Sequence, residues 1–83
     1  MSRSEITHEV VTLIRANMPG YENLPEDESV RINNDAGFDS MTFVYIMCKI
    51  EAAYNISIPK RKWEKMITLG DLVDAIEKEI AKQ

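Results

Sequence analysis

Apolar residues recur at the spacing of an α-helix in three stretches of the chain. The first covers residues 4–17, with an apolar stripe of Ile6, Val10, Leu13 and Ile14. Ser2 and Glu5 have capping-box spacing at its start, and Ser4 is an alternative cap. The last stretch covers residues 69–81, with capping-box spacing at Thr68 and Asp71 and a stripe of Leu69, Leu72, Val73, Ile76 and Ile80. Both stretches are therefore predicted to be amphipathic helices that share a core.

The middle stretch, residues 40–54, is apolar on more of its circumference than one packed face requires. Its core-facing stripe consists of Phe43, Ile46, Met47, Ile50 and Tyr54. Another face carries Ser40, Val44 and Cys48 at four-residue spacing, flanked by Met41 and Tyr45. A helix with two apolar faces is either wholly buried or has a second apolar partner. A bundle of these three helices and one short helix, described below, is too small to bury both faces of the middle helix. We therefore expect part of the second face to be a docking surface.

The connections between these stretches complete the predicted fold. Residues 18–38 form a long loop, pinned to the core by Tyr21, Leu24, Val30, Ile32 and Phe38. Asn55 is a predicted left-handed C-cap, and an extended Ile-Ser-Ile-Pro link follows it. Residues 60–66 make at most a short helix, anchored by Trp63 and Met66, with Lys60, Arg61, Lys62 and Lys65 facing water. The expected fold is all-α: one domain over residues 1–83, with three longer helices, a short third helix and no strands.

Charge and composition narrow the classes of function. The net charge of −4 divides into −5 over residues 1–59 and +1 over residues 60–83. An acidic balance argues against nucleic-acid binding, and a cluster of four basic side chains is too small for a helix-turn-helix DNA-binding protein. The longest apolar run has six residues, so no membrane span is expected. With one cysteine and no apolar signal region, we expect a cytoplasmic protein. Because no linker or second domain is recognisable in the sequence, we also expect a stand-alone domain that is monomeric.

Ser40 is the candidate for chemistry. It follows Gly37, Phe38 and Asp39 at the start of the middle helix, where unpaired N–H groups and the helix dipole favour an anionic group. Asp-Ser at a helix start is also ordinary capping chemistry. No metal or phosphate-loop motif is present, and a Ser-His-Asp site would depend on His8, which is expected at the surface. No catalytic residue is therefore expected, and a hydrolase is the remotest alternative.

The ordered set of features resembles the acyl carrier protein family over nearly the whole chain. The family's Gly-x-Asp-Ser-Leu motif is matched by Gly37-Phe38-Asp39-Ser40-Met41, with methionine in place of leucine. The aromatic end of the apolar helix, the Ile-Pro link and the threonine-capped last helix are matched by Tyr54, Ile58-Pro59 and Thr68. The resemblance implies that the fold is a four-helix acyl-carrier-like bundle and that the protein is a carrier rather than an enzyme.

The resemblance also implies a cofactor and partners. Ser40 would carry covalent 4′-phosphopantetheine, and Asp39 would cap the helix and help to position a phosphopantetheinyl transferase with its metal-bound coenzyme A. The terminal thiol of the arm would hold an acyl group as a thioester and present it to acyl-loading and acyl-processing enzymes. A core of Met41, Phe43, Met47 and Met66 is a hypothetical shelter for the acyl chain, because methionine fills irregular space.

The chain departs from family members of fatty-acid synthesis, which display acidic residues on the second and third helices. Here Glu51 is the one acidic residue expected at the exposed positions of the second helix, and the third helix begins Lys60-Arg61-Lys62. We therefore expect a specialised carrier of lipid, polyketide or other biosynthesis, with a partner face of Met41, Val44, Tyr45, Cys48, Lys60, Arg61 and Lys62. The alternatives are a peptidyl or aminoacyl carrier of nonribosomal-type synthesis and an unmodified helical interaction module.

Overall fold

Four helices make up the protein in a computed structural model that describes residues 1–32 and 40–83. They are α1 (Arg3–Asn17), α2 (Ser40–Tyr54), α3 (Lys60–Trp63) and α4 (Leu69–Ala81). The all-α prediction is confirmed, since the described ranges contain one isolated backbone bridge and no strand. Helices α2 and α4 have the predicted bounds, while α1 begins one residue early and α3 has four residues. Asn55 adopts the predicted left-handed conformation, with φ of 55°.

Both predicted capping boxes are present. The Ser2 hydroxyl accepts from the Glu5 N–H at 3.2 Å, and the Glu5 carboxylate accepts from the Ser2 N–H at 3.0 Å. At α4, the Asp71 N–H donates to the Thr68 hydroxyl at 3.2 Å. The Asp71 carboxylate accepts from the backbone N–H groups of Ile67 and Thr68, and these bonds hold the pKa of Asp71 below its usual value. Each cap satisfies N–H groups that the helix leaves unpaired, so the starts of α1 and α4 are sharply defined.

Helix α1 packs against α4 and α2, and the core lies between their apolar stripes. The fully buried side chains include Ile6, Val10 and Ile14 of α1, Met47 and Ile50 of α2, and Leu69, Leu72, Val73 and Ile76 of α4. Phe43, Tyr54 and Ile80 are partly buried against this cluster. In the described parts of the chain, no helix is long and apolar enough to cross a membrane.

The long loop is attached to the core as predicted over its described part. Leu24 and Ile32 are buried, and Tyr21 and Val30 pack against the core from partly exposed positions. The Arg15 guanidinium also donates to the Leu24 carbonyl at 2.9 Å. Phe38 lies outside the described residues.

The loop ends its described course in backbone pairing with the start of α4. Arg31 and Thr68 form an antiparallel bridge. The Ile32 N–H donates to the Ile67 carbonyl at 2.8 Å, and the Leu69 N–H donates to the Val30 carbonyl at 2.8 Å. The Gly70 N–H donates to the Glu28 carbonyl at 2.9 Å. Residues 28–32 are therefore fixed on residues 67–70 before the chain continues towards α2.

Arg3 joins the first helix, the loop and the last helix at one point. Its Nε donates to both carboxylate oxygens of Glu28 at 3.0 Å. Its Nη1 pairs with Asp74 at 2.6 Å and with Glu77, and its Nη2 donates to the Gly70 carbonyl at 3.3 Å. The guanidinium holds the pKa of Glu28 below its usual value. A single cation thus neutralises carboxylates from the loop and from α4.

Replacement of Gly70 by valine is expected to destabilise the fold. A Cβ at Gly70 would lie 3.2 Å from the Cβ and the backbone oxygen of Glu28, so a β-branched side chain has to push the loop off α4. Overpacking of this kind costs about 1–3 kcal/mol in free energy of unfolding. Denaturant unfolding of Gly70→Val measures the loss. The exposed Ala53→Val change in α2 is the control for helix propensity, with an expected cost below about 0.7 kcal/mol. Equal costs for the two variants would contradict the close approach at Gly70.

Tyr54 is expected to give the fold an alkaline pH dependence. Its hydroxyl donates to the Glu9 carboxylate at 3.1 Å, and burial together with this bond raises the pKa of Tyr54 to about 12. An unfolded tyrosine titrates near ~10, so the stabilisation is complete below that pH and is lost as the pH rises towards the folded value. Spectrophotometric titration should show a late phenol component that is absent from Tyr54→Phe and retained in Tyr45→Phe. Its survival in Tyr54→Phe would refute the assignment.

Candidate functional site

Ser40 is the first residue of α2. Gly37, Phe38 and Asp39, which complete the motif, lie outside the described residues, so the predicted Asp39 cap stays a prediction. The first turn of an α-helix carries N–H groups without intrahelical partners, and the first turn of α2 contains no acidic residue. A phosphate attached here would meet the positive end of a 15-residue helix without a repelling carboxylate in that turn. The start of α2 therefore fits a phosphodiester.

The outward face of α2 is apolar and exposed. Met41 is 85% exposed, Val44 44% and Tyr45 47%, and Cys48 is an exposed free thiol. The expectation that Met41 belongs to a core that could shelter the acyl chain is wrong, because the side chain is exposed. Met47 and Met66 are buried and Phe43 is partly buried, but Met41 lies on the side of α2 that it shares with Val44 and Tyr45. The hypothesis of an acyl shelter is thus restricted to Phe43, Met47 and Met66.

Tyr45 stands at the edge of this face with two polar neighbours. Its hydroxyl donates to the Asn17 side-chain oxygen at 3.4 Å, at the end of α1. The Lys49 ammonium lies 5.4 Å from the centroid of the Tyr45 ring, within the range of a cation–π contact. The tyrosine ring is therefore oriented while much of its surface stays open to a partner.

Glu51 faces the link to α3 rather than solvent. Its carboxylate accepts from the Ile58 N–H at 2.7 Å, and its backbone carbonyl accepts from the Ile56 N–H at 3.1 Å. The Trp63 indole N–H then donates to the Ile58 carbonyl at 3.0 Å. The centroids of the Trp63 and Phe43 rings are 6.2 Å apart. This chain of contacts positions α3 beside α2. Sequence reasoning counted Glu51 as an exposed acid and missed the bond to the link.

Helix α3 presents cations beside α2, but fewer than predicted. Lys60, Arg61 and Lys65 are exposed and have no acidic partner among residues 1–32 and 40–83. Lys62 does not face water freely, because its stem lines a shallow depression with Met66 and Ala75, and its ammonium is 3.8 Å from Glu79. A long side chain covers apolar surface in this way while its charge reaches an acid.

His8 lies on the exposed side of α1, as predicted. Its Nδ1 is 2.7 Å from a carboxylate oxygen of Glu26 in the loop. This pairing joins α1 to the acidic run of the loop and gives the histidine a structural partner.

Comparison with known proteins identifies the family of the chain. The family model described as "Phosphopantetheine attachment site" matches residues 20–76. The chain is 32% identical over 80 residues to the acyl carrier protein of Porphyromonas gingivalis, covering 93% of this chain and 97% of that protein. It is 29% identical over 79 residues to the acyl carrier protein of Thermotoga maritima, covering 95% and 96% of the two chains. It is 36% identical over 61 residues to that of Helicobacter pylori, covering 74% of each.

These matches extend over most of the chain and include α2, α3 and the start of α4. The protein belongs to the acyl carrier protein family. It is accordingly a carrier with covalently attached 4′-phosphopantetheine as its prosthetic group, and not an enzyme. Membership implies interaction with a phosphopantetheinyl transferase and with acyl-processing enzymes.

Met41 and Met47 should respond oppositely to truncation. Met41→Ala removes an exposed side chain, and the free energy of unfolding should change by less than about 0.5 kcal/mol. Met47→Ala empties a site that is 0% exposed, and such truncations cost about 2–5 kcal/mol. Urea unfolding of both variants measures the two values under the same conditions. A loss at Met41 comparable with that at Met47 would return Met41 to the core.

Proposed function

We propose that Ser40 is the residue that carries 4′-phosphopantetheine, and that the protein presents acyl groups on this arm to the enzymes of a specialised biosynthetic pathway. The supporting observation is the position of Ser40 as the first residue of α2, inside the residues matched by the phosphopantetheine attachment family. Asp39, immediately before it, is proposed to cap the helix and to help position the transferase.

The chemistry proposed for Ser40 needs only its hydroxyl. During modification the serine oxygen forms a bond to the phosphorus nearest the pantetheine of coenzyme A. The pyrophosphate bond breaks, adenosine 3′,5′-bisphosphate leaves, and a base of the transferase takes the hydroxyl proton. The phosphodiester product bears a negative charge, which the unpaired N–H groups of the first turn of α2 stabilise. When attached, the arm supplies the thiol on which an acyl group is held as a thioester.

A specialised pathway is supported by the charges around the site. Glu51 is engaged with the Ile58 N–H, and α3 begins with Lys60 and Arg61 exposed. Charge complementarity steers carriers to their enzymes and excludes wrong ones, so a carrier of this charge is a poor match for enzymes that select acidic carriers. Lipid and polyketide biosynthesis are the pathways proposed, with a peptidyl or aminoacyl carrier as the alternative.

Intact-mass measurement tests the attachment residue. Incubation with coenzyme A and a broad-specificity phosphopantetheinyl transferase should add one phosphopantetheine to the parent protein and none to Ser40→Ala. Ser57→Ala, which removes an exposed hydroxyl from the link before α3, is the matched control and should be modified like the parent. Modification of Ser40→Ala would place the arm elsewhere. No addition to a folded parent, with the transferase active on another carrier, would favour the unmodified interaction module.

The same experiment extends to the cargo. Once the arm is attached, acyl-loading and aminoacyl-adenylating enzymes can be offered in turn, and the mass of the thioester identifies the class that loads the thiol. Loading by an adenylating enzyme with an amino acid would replace the acyl-carrier proposal by the peptidyl or aminoacyl alternative.

A further inference from the structure

We propose that the surface formed by α2 and α3 binds an enzyme whose contact element is apolar and flanked by carboxylates. This α2–α3 surface consists of the exposed Met41, Val44, Tyr45 and Cys48 of α2 with Lys60 and Arg61 of α3. The inference rests on the carrier function proposed above, because it specifies the kind of enzyme to which the carrier presents its acyl group.

The apolar part of the surface is concentrated rather than scattered. The large hydrophobic side chains that are exposed in the described residues are Met1, Met41, Val44, Tyr45 and Ile67. Three of these five lie within the first two turns of α2. Single exposed hydrophobic residues are ordinary, but a contiguous group marks an interaction site, and methionine and tyrosine are enriched in interfaces.

Helix α3 borders this apolar group. Val44 and Cys48 are one helical turn apart, and Cys48 is three residues before Glu51, so the three positions follow one another on the surface of α2. The Glu51 carboxylate holds the Ile58 N–H, two residues before α3 begins. The basic start of α3 therefore lies at the edge of the face that carries Val44 and Cys48.

The edge of the α2–α3 surface is positively charged, because the Glu51 carboxylate of α2 is bound to the link and does not offset the cations of α3. Glu51 is the acidic residue of α2, and its carboxylate is part-buried against the link. Lys49 lies over the outer Tyr45 ring, and Lys60 and Arg61 have no acidic partner in the described chain. Glu64, which caps the end of α3, is the exposed acid nearest in sequence to this cluster. Cations left unpaired around an apolar patch favour a partner that supplies carboxylates.

A second copy of the chain does not supply those carboxylates as readily as an enzyme would. The acidic run of the loop is partly occupied, because Glu28 pairs with Arg3 and Glu26 pairs with His8. Breaking these contacts to form a dimer would cost the pairings that fix the loop. The complementary charges are therefore assigned to a partner enzyme.

Two designed helical peptides, each about five turns long, test the sign of this charge. They share one apolar stripe, and the stripe is flanked by glutamate in one peptide and by lysine in the other. Amide chemical shifts of the protein, before and after attachment of the arm, report the residues contacted and the dissociation constant. The glutamate peptide should shift resonances of Val44, Cys48 and α3, and should bind about 3- to 10-fold more tightly than the lysine peptide at low salt. Added salt should reduce the difference.

A charge-matched pair of variants isolates the α3 cations. Lys60→Gln/Arg61→Gln removes two positive charges from the surface and should abolish most of the preference for the glutamate peptide. Thr12→Glu/Ala16→Glu changes the net charge equally at exposed positions of α1 and should retain the preference. Equal binding of both peptides, tighter binding of the lysine peptide, or shifts confined to other surfaces would overturn the proposal. So would concentration-dependent self-association through α2. These outcomes are independent of the mass measurement, which tests Ser40 alone.

Discussion

The backbone pairing between residues 28–32 and residues 67–70 is the constraint that attaches the long loop to the rest of the fold. It fixes the described end of the loop, at Ile32, on the start of α4. Seven residues of the sequence separate Ile32 from Ser40. Gly70 permits the close approach, and Arg3 neutralises the carboxylates that gather there. Because α1 packs on both α4 and α2, the loop on α4 and helix α2 are attached to the same core. The helix that begins at Ser40 is thus held in the bundle by packing on α1, which is distant from it in sequence.

Helix α2 divides its two faces between stability and recognition. Met47 and Ile50 are completely buried and hold the helix in the bundle, whereas Met41 and Val44 contribute little to the core because they remain in solvent. Glu51 lies between the two faces and uses its carboxylate to position the link to α3. A carrier needs this division, since its attachment residue has to be rigidly supported and still accessible to several enzymes in turn.

The fold was largely predictable because its signals are local. Helical periodicity gave the bounds of α2 and α4, and Ser-x-x-Glu and Thr-x-x-Asp spacing gave both caps. The contacts of Arg3 with Glu28 and Glu77 were not predictable, since they join residues 25 and 74 positions apart. The sequence left Met41 open between the core and the second face. At the first turn of a helix, few residues on the N-terminal side are available to show which apolar stripe a position belongs to. The motif around Ser40 indicated the family, but no local pattern revealed that Glu51 holds Ile58.

The bond from Glu51 to Ile58 affects how mutational scans of this protein have to be interpreted. Scanning the acids of a helix is a natural way to search for residues that attract an enzyme. At Glu51 such a substitution would leave the part-buried Ile58 N–H without an acceptor and loosen the link that leads to Lys60 and Arg61. The resulting loss of binding would mimic the removal of an attractive charge, although the carboxylate is bound to the link before α3. At this position, a defect in recognition would be a change of shape that looks like a change of charge.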